Sequence, residues 1–313
     1  MEYRGSFGNK HKGATLMTKP AIGFIGLGLM GSAMVQRLLD CGYGLTVLAN
    51  RSRTNVELAV ARGATEAGTA REVAAASDIV MLCVDTSASV EARMLGEEGV
   101  IAGLRKGAIV IDFGTSLPAS TRRMGEAVVA AGGTFLDAPL GRTPRHGREG
   151  KLNIMCSGDQ AAFDKVRPVL DDLGENVFHL GALGSGHTIK LINNFFAMTT
   201  ACAMSEAFAM ADMAGVERDK LYSVMAAGPL RSGMMDFIKA YAVDGDPEQL
   251  AFAIRNARKD IGYYATMVEE AGAVSLMSMS ARMALGLADS GGHGEQMVTQ
   301  MVDFMTSLSG NKQ

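Results

Sequence analysis

A chain of 313 residues, 48% of them hydrophobic and with a formal net charge of −3, is long enough for roughly two domains of about 150 residues each. Its basic residues are scattered rather than gathered into a stripe, which argues against a nucleic-acid partner, and no run of about 18 uncharged apolar residues offers a membrane span. Residues 1–19 are polar and lack the apolar core of a secretory leader, so they are expected to be a disordered tail. Cys41, Cys83, Cys156 and Cys202 lie far apart and form no C-x-x-C pair, so the chain is expected to work reduced, in the cytoplasm, with no disulfide frame and no metal site.

Residues 21–26 (AIGFIG) read as a buried strand, and residues 30–40 show helical spacing that ends before Gly42. A second strand follows at 45–48, then a helix at 54–62 stopped by Gly63. Residues 78–84, 108–112 and 134–137 are further apolar strands, with a helix at 118–131 that carries a proline in its first turn. Strands alternating with helices imply a parallel sheet covered on both faces. Strand signals stop after Phe178. From 187 to 215 the pattern is almost unbroken helix, roughly 40 Å long at 1.5 Å per residue. Further helices are expected at 219–227, 247–270 and 294–308. Fourteen of the 22 methionines lie beyond Ile189, where packed helices use methionine as gap-filling core.

The first strand runs into Gly26-Leu-Gly28-Leu-Met30-Gly31 and then a helix. Gly26 permits the tight turn, Gly28 lets backbone approach a pyrophosphate, and Gly31 lets the helix pack on the strand. The free N–H groups at the helix start suit phosphate. Strand before and helix after make this G-x-G-x-x-G a dinucleotide loop rather than an empty turn. The second strand ends in Asn50-Arg51-Ser52-Arg53, with no carboxylate before Glu57. An acidic residue there would hold the ribose of NAD; arginines suit the 2′-phosphate of NADP. NADP is therefore favoured over NAD.

Lys190 and Asn194 lie one turn apart at the start of the long helix, and Lys190 stands among Thr188, Ile189, Leu191 and Ile192. Burial lowers a lysine pKa and suits it to acid–base work on a carbonyl. Spacing alone leaves equally open a snorkelling lysine beside a structural asparagine pair.

Several motifs together resemble the β-hydroxyacid dehydrogenase family. The chain shares its G-x-G-x-M-G loop at Gly26–Gly31 and its G-x-x-x-K-x-x-N-N helix from Gly186 to Asn194. It also shares a late K-D pair at Lys259-Asp260 and most of a D-x-S-T-x-x-P segment, which reads Asp112-Phe-Gly114-Thr115-Ser-Leu-Pro118 here with glycine in place of the serine. The resemblance spans nearly everything from Lys19 onward. It implies α/β class, with a Rossmann dinucleotide-binding domain at 20–184 and an all-α substrate and oligomerisation domain at 185–313. It implies Lys190 and Asn194 as catalytic residues, with Gly26, Gly28, Leu29, Met30, Gly31, Asn50, Arg51, Ser52, Val84, Thr115 and Lys259 at the cofactor. Family members pair through their helical halves, so a homo-dimer or homo-tetramer is expected, with the active site between the domains.

The substrate loop departs from the family pattern D-A-P-V-S-G-G. It reads Asp137-Ala-Pro139-Leu-Gly141-Arg142-Thr143, which is similar to the sulfolactaldehyde reductase branch. Gly141, Arg142, Thr143 and Asn193 are the expected substrate contacts. An arginine fork and a hydroxyl suit a small anionic substrate, whether carboxylate, sulfonate or phosphate. The expected activity is hydride transfer between a nicotinamide and a small hydroxy or aldehyde acid. Retention of Lys190 argues against two rivals, an imine reductase and a non-catalytic dinucleotide-binding module. His146, His187 and Asn153 stay outside the expected catalytic set.

Overall fold

The computed structural model describes residues 19–49 and 53–309. The cofactor candidates Asn50, Arg51 and Ser52 therefore lie outside the described residues, as does all of the expected tail but Lys19.

The sheet-forming half runs β1 (Ile22–Ile25), α1 (Leu29–Asp40), β2 (Leu45–Leu48), α2 (Thr54–Ala61), β3 (Thr65–Ala67), α3 (Ala70–Ala75), β4 (Ile79–Leu82), α4 (Ser87–Met94), α5 (Val100–Gly103), β5 (Ile109–Asp112) and α6 (Pro118–Ala130). It continues through β6 (Thr134–Asp137), β7 (Leu140–Gly141), α7 (Pro144–Arg148), β8 (Leu152–Gly158), α8 (Gln160–Leu173) and β9 (Gly174–His179). Strands β1 to β6 are parallel in the order β3-β2-β1-β4-β5-β6, and β8 joins β6 antiparallel with β7 and β9 on it. This is the doubly wound Rossmann arrangement, in which order reverses between β1 and β4 and ligands meet the carboxyl ends of the strands. Strands β1 and β4 are buried throughout, as unbroken apolar runs covered on both faces must be.

The helical half comprises α9 (Ser185–Met213), α10 (Arg218–Ala226), α11 (Gly233–Ala242), α12 (Ile254–Glu270), α13 (Leu276–Ala288) and α14 (Met301–Ser309). Its own core gathers Met198, Phe208, Ile238, Ile254, Ile261 and Leu285. No helix of the described residues is long and apolar enough to cross a membrane.

Three features differ from the sequence expectations. The helix expected from 247 begins only at Ile254. Ala251 takes a left-handed φ of 48°, and Ala253 bridges antiparallel to Met297. That bridge also breaks the helix expected from 294 into a 3-10 turn at Val298–Gln300 followed by α14. Strand β8 was not anticipated, although Leu152, Ile154 and Cys156 alternate inward on it with half-buried Asn153 and Met155.

Candidate active site

The glycine loop is built for close approach by a ligand. Gly26 has φ +101°, and a Cβ there would lie 2.3 Å from the Cys83 carbonyl oxygen. A Cβ on Gly31 would lie 1.9 Å from the Gly26 carbonyl oxygen. Gly28, by contrast, faces open space and caps α1 with no side-chain hydrogen bond and no acidic residue in the first turn. An uncapped helix start beneath an open glycine fits a dinucleotide pyrophosphate. Leu29 is exposed there, while Met30 packs against the sheet core.

Val84 and Thr115 follow β4 and β5, so both reach the same sheet edge. Gly114 has no room for the family's serine: a Cβ would stand 2.9 Å from Asp112 Oδ1 and 3.0 Å from the Val84 carbonyl oxygen. Lys259 on α12 closes this edge from the helical half. Its Nζ donates to the carbonyl oxygens of Asp85 (2.6 Å) and Thr115 (3.3 Å), and pairs with Asp260 at 3.0 Å. Ser87 N–H donates to the Tyr263 hydroxyl at 3.0 Å, a second tie between the halves. Arg53 is committed elsewhere, forked onto Glu66 at 3.1 Å through both terminal nitrogens and bonded to Glu57.

The long helix α9 is seated on the sheet by buried Asp137 at the end of β6. One Asp137 oxygen accepts the Gly184 N–H (2.8 Å) and the Ser157 hydroxyl; the other accepts the His187 N–H (2.8 Å). Ser157 in turn accepts the Gly186 N–H. Gly186 must be glycine, since a Cβ would meet the Met155 carbonyl oxygen at 2.2 Å. His187 is fully buried, with Nδ1 2.7 Å from the Thr121 hydroxyl and its ring between Asp112 and Asp137, 3.7 Å from each carboxylate. It is structural packing at the root of the helix.

One turn further, Lys190 is half-buried. Desolvation pulls its ammonium below the usual lysine range, the Lys259 charge pulls the same way, and the Asp260 carboxylate opposes both. Asn194 is buried and donates to Asp260 Oδ2 at 2.6 Å. Asn193 is exposed and reaches Asn194 at 3.3 Å. Sequence reasoning left Asp260 out of the site. Its signal was a carboxylate on the apolar stripe of α12, beside Ala257 and Ile261.

In the loop expected to meet substrate, the Arg142 guanidinium is already engaged. Arg142 is not a free fork. Its Nη1 donates to the Lys151 carbonyl oxygen (2.7 Å) and pairs with Glu175 on β9 (2.5 Å). Its backbone takes φ +75°, a conformation that costs a side-chain-bearing residue about 1–2 kcal/mol. Gly141 pairs with Asn153 in the β7–β8 ladder, where a Cβ would meet Asn153 Cβ at 3.2 Å. Thr143 shares a 2.8 Å hydrogen bond with His146 Nδ1. Pro139, in the same loop, packs against the start of α9 at Gly186. Among the described residues no cluster of metal-ligating side chains exists.

Comparison with known proteins gives two family matches. Residues 21–181 match the NAD binding domain of 6-phosphogluconate dehydrogenase. Residues 184–305 match the NAD-binding domain of NADP-dependent 3-hydroxyisobutyrate dehydrogenase. The chain is similar to 2-(hydroxymethyl)glutarate dehydrogenase of Eubacterium barkeri, 31% identical over 77% of this chain and 80% of that protein. It is similar to 2-hydroxy-3-oxopropionate reductase of Escherichia coli, 34% identical over 69% of this chain and 73% of that one. Among solved structures, a 3-hydroxyisobutyrate dehydrogenase from Salmonella typhimurium superposes with a TM-score of 0.80 at 27% identity, covering 91% of this chain and 99% of that one.

Proposed function

Because the chain belongs to the β-hydroxyacid dehydrogenase family, NAD(P)-dependent enzymes acting on CH–OH groups, we propose that it interconverts a small hydroxy acid and its aldehyde acid, with Lys190 as the acid/base. The substrate class is of the 3-hydroxyisobutyrate or sulfolactaldehyde type. The observation that carries this reading is a half-buried lysine with depressed basicity beside a locked asparagine, at the sheet edge that holds the glycine loop. When bound, the nicotinamide supplies or accepts the hydride. In reduction the Lys190 ammonium gives its proton to the carbonyl oxygen, so that aldehyde becomes hydroxymethyl; in oxidation neutral Lys190 takes the hydroxyl proton. Asn194, its amide fixed by Asp260, presents the carbonyl or hydroxyl oxygen to Lys190. The anionic group rests against the backbone of the loop 141–143, the Thr143 hydroxyl and Asn193.

Lys259 would reach the cofactor from the helical half, and Gly26–Gly31, Val84 and Thr115 would hold it along the sheet edge. We infer a preference for NADP from Arg51 and Ser52, and a cytoplasmic site of action from the unpaired cysteines. We also infer self-association through the helical half, because α13 is apolar on both sides. Its inner face is buried at Ala281 and Leu285, yet Leu276, Met279, Met283 and Leu287 form an exposed stripe at helical spacing.

The test is a screen of 2-hydroxy-3-oxopropionate, methylmalonate semialdehyde and 3-sulfolactaldehyde with NADPH and NADH, read by nicotinamide absorbance. Turnover is expected with at least one of them, faster with NADPH. Lys190→Ala should lose about 10²–10⁴-fold in kcat while still binding cofactor. No turnover across the series would sink the proposal.

A further inference from the structure

The loop that meets the substrate anion in the proposed reaction carries an arginine in a glycine-like conformation, and that arginine is already engaged. Its guanidinium spans nine residues of chain to the Lys151 carbonyl oxygen and crosses to Glu175 on the neighbouring strand β9. Both contacts fall on one nitrogen, Nη1, at 2.7 and 2.5 Å. The arch from 142 to 151 is closed again from inside. Lys151 N–H donates to the His146 carbonyl oxygen at 2.8 Å, and His146 meets the Thr143 hydroxyl. The arch packs outward on α1, where a Cβ on Gly147 would touch Ala33 and one on Gly150 would collide with Arg37. A backbone at φ +75° with a long side chain persists only when its surroundings hold it there. Here the holding group is the arginine's own head.

We propose that Arg142 is a positioning residue: its guanidinium, clamped by Glu175 and the Lys151 carbonyl, splints the loop 141–143 into the shape that receives the substrate anion, and does not itself bind that anion. Glu175, which no motif singled out, is the second half of the splint. This rests on the reading that the loop receives the anion. It goes beyond that reading by assigning the arginine's charge to Glu175 instead of to substrate.

The two roles diverge under substitution by alanine and by glycine. Alanine removes the head and keeps the strain of the left-handed backbone; glycine removes both. A splint predicts that Arg142→Ala raises KM for 2-hydroxy-3-oxopropionate about tenfold, with kcat changed less, and that Arg142→Gly recovers at least threefold of that loss. Glu175→Ala raises KM about threefold to tenfold. An anion ligand predicts the reverse pattern, with glycine no better than alanine and Glu175→Ala lowering KM by releasing the guanidinium; that result overturns the proposal. Hydrogen exchange over residues 139–150 gives a second readout that needs no substrate. Exchange is expected to quicken in Arg142→Ala and Glu175→Ala, with NADPH binding confirming that each variant is folded. Unchanged exchange in Glu175→Ala also overturns the splint. Failure of the chain to reduce any acid would defeat the functional reading and leave the exchange result standing.

Discussion

Lys190, the acid/base of the proposed reaction, stands near two charges of opposite sign on α12. Burial and Lys259 depress its basicity, and Asp260 restores part of it. Reduction needs the ammonium, so its rate should fall as pH rises through the depressed pKa. Oxidation needs the amine and should fall as pH drops through the same value. Asp260→Asn removes the restoring charge, so the alkaline limb of the reduction profile should move to lower pH. It also loosens Asn194, and kcat should drop by about tenfold or more, as small misplacements of reacting groups do. A pH profile of kcat/KM in the variant measures this, and an unshifted alkaline limb would remove Asp260 from any hold on Lys190. Lys190 and Asn194 stand out in the sequence as candidates because spacing and family motif coincide there. The tie between Arg142 and Glu175 is not legible in the sequence, since Glu175 lies far along the chain and nothing between them announces the contact. Asp260 was visible as half of a K-D pair, yet only the fold brings it to Asn194.

At the level of elements, the root of α9 is the joint on which the site depends. Asp137 accepts three hydrogen bonds there while fully buried. Asp137→Asn turns an NH2 toward a donor and removes the charge that favours a helix start. A loss of about 2–4 kcal/mol is expected, read by denaturant melting; a change below about 0.5 kcal/mol would show the joint to be dispensable. The parallel strands and long helices were legible because each is an apolar run of the right period and length. What escaped were β3, β7, β8, β9 and the segment from 247 to 253. The bounds of those elements are set by long-range pairing, such as the bridge between Ala253 and Met297, and not by local pattern.

For the whole molecule, the exposed stripe on α13 sets the expected state of assembly. Four large apolar side chains at one-turn spacing on a solvent-facing helix are a costly surface unless a second copy covers them. Light scattering should return a dimer or tetramer, and Met279→Glu with Met283→Glu should shift it toward monomer. A monomer in the unaltered protein at micromolar concentration would refute the interface.

The anchoring of α9 has a mechanical consequence. Asp137 pins the helix at residues 184–187, and the helix runs on from that end to Met213. Lys190 sits about 8 Å along the axis and Met213 about 42 Å, at about 1.5 Å per residue. The pinned end is a fulcrum and the rest a lever arm. Any small tilt about that fulcrum displaces each residue in proportion to its distance from it, so the far end sweeps roughly five times as far as the lysine. A tilt that widened the cleft between the two halves would have to release the Lys259 and Tyr263 ties to the sheet edge, yet it would move Lys190, close to the fulcrum, far less than the distal end.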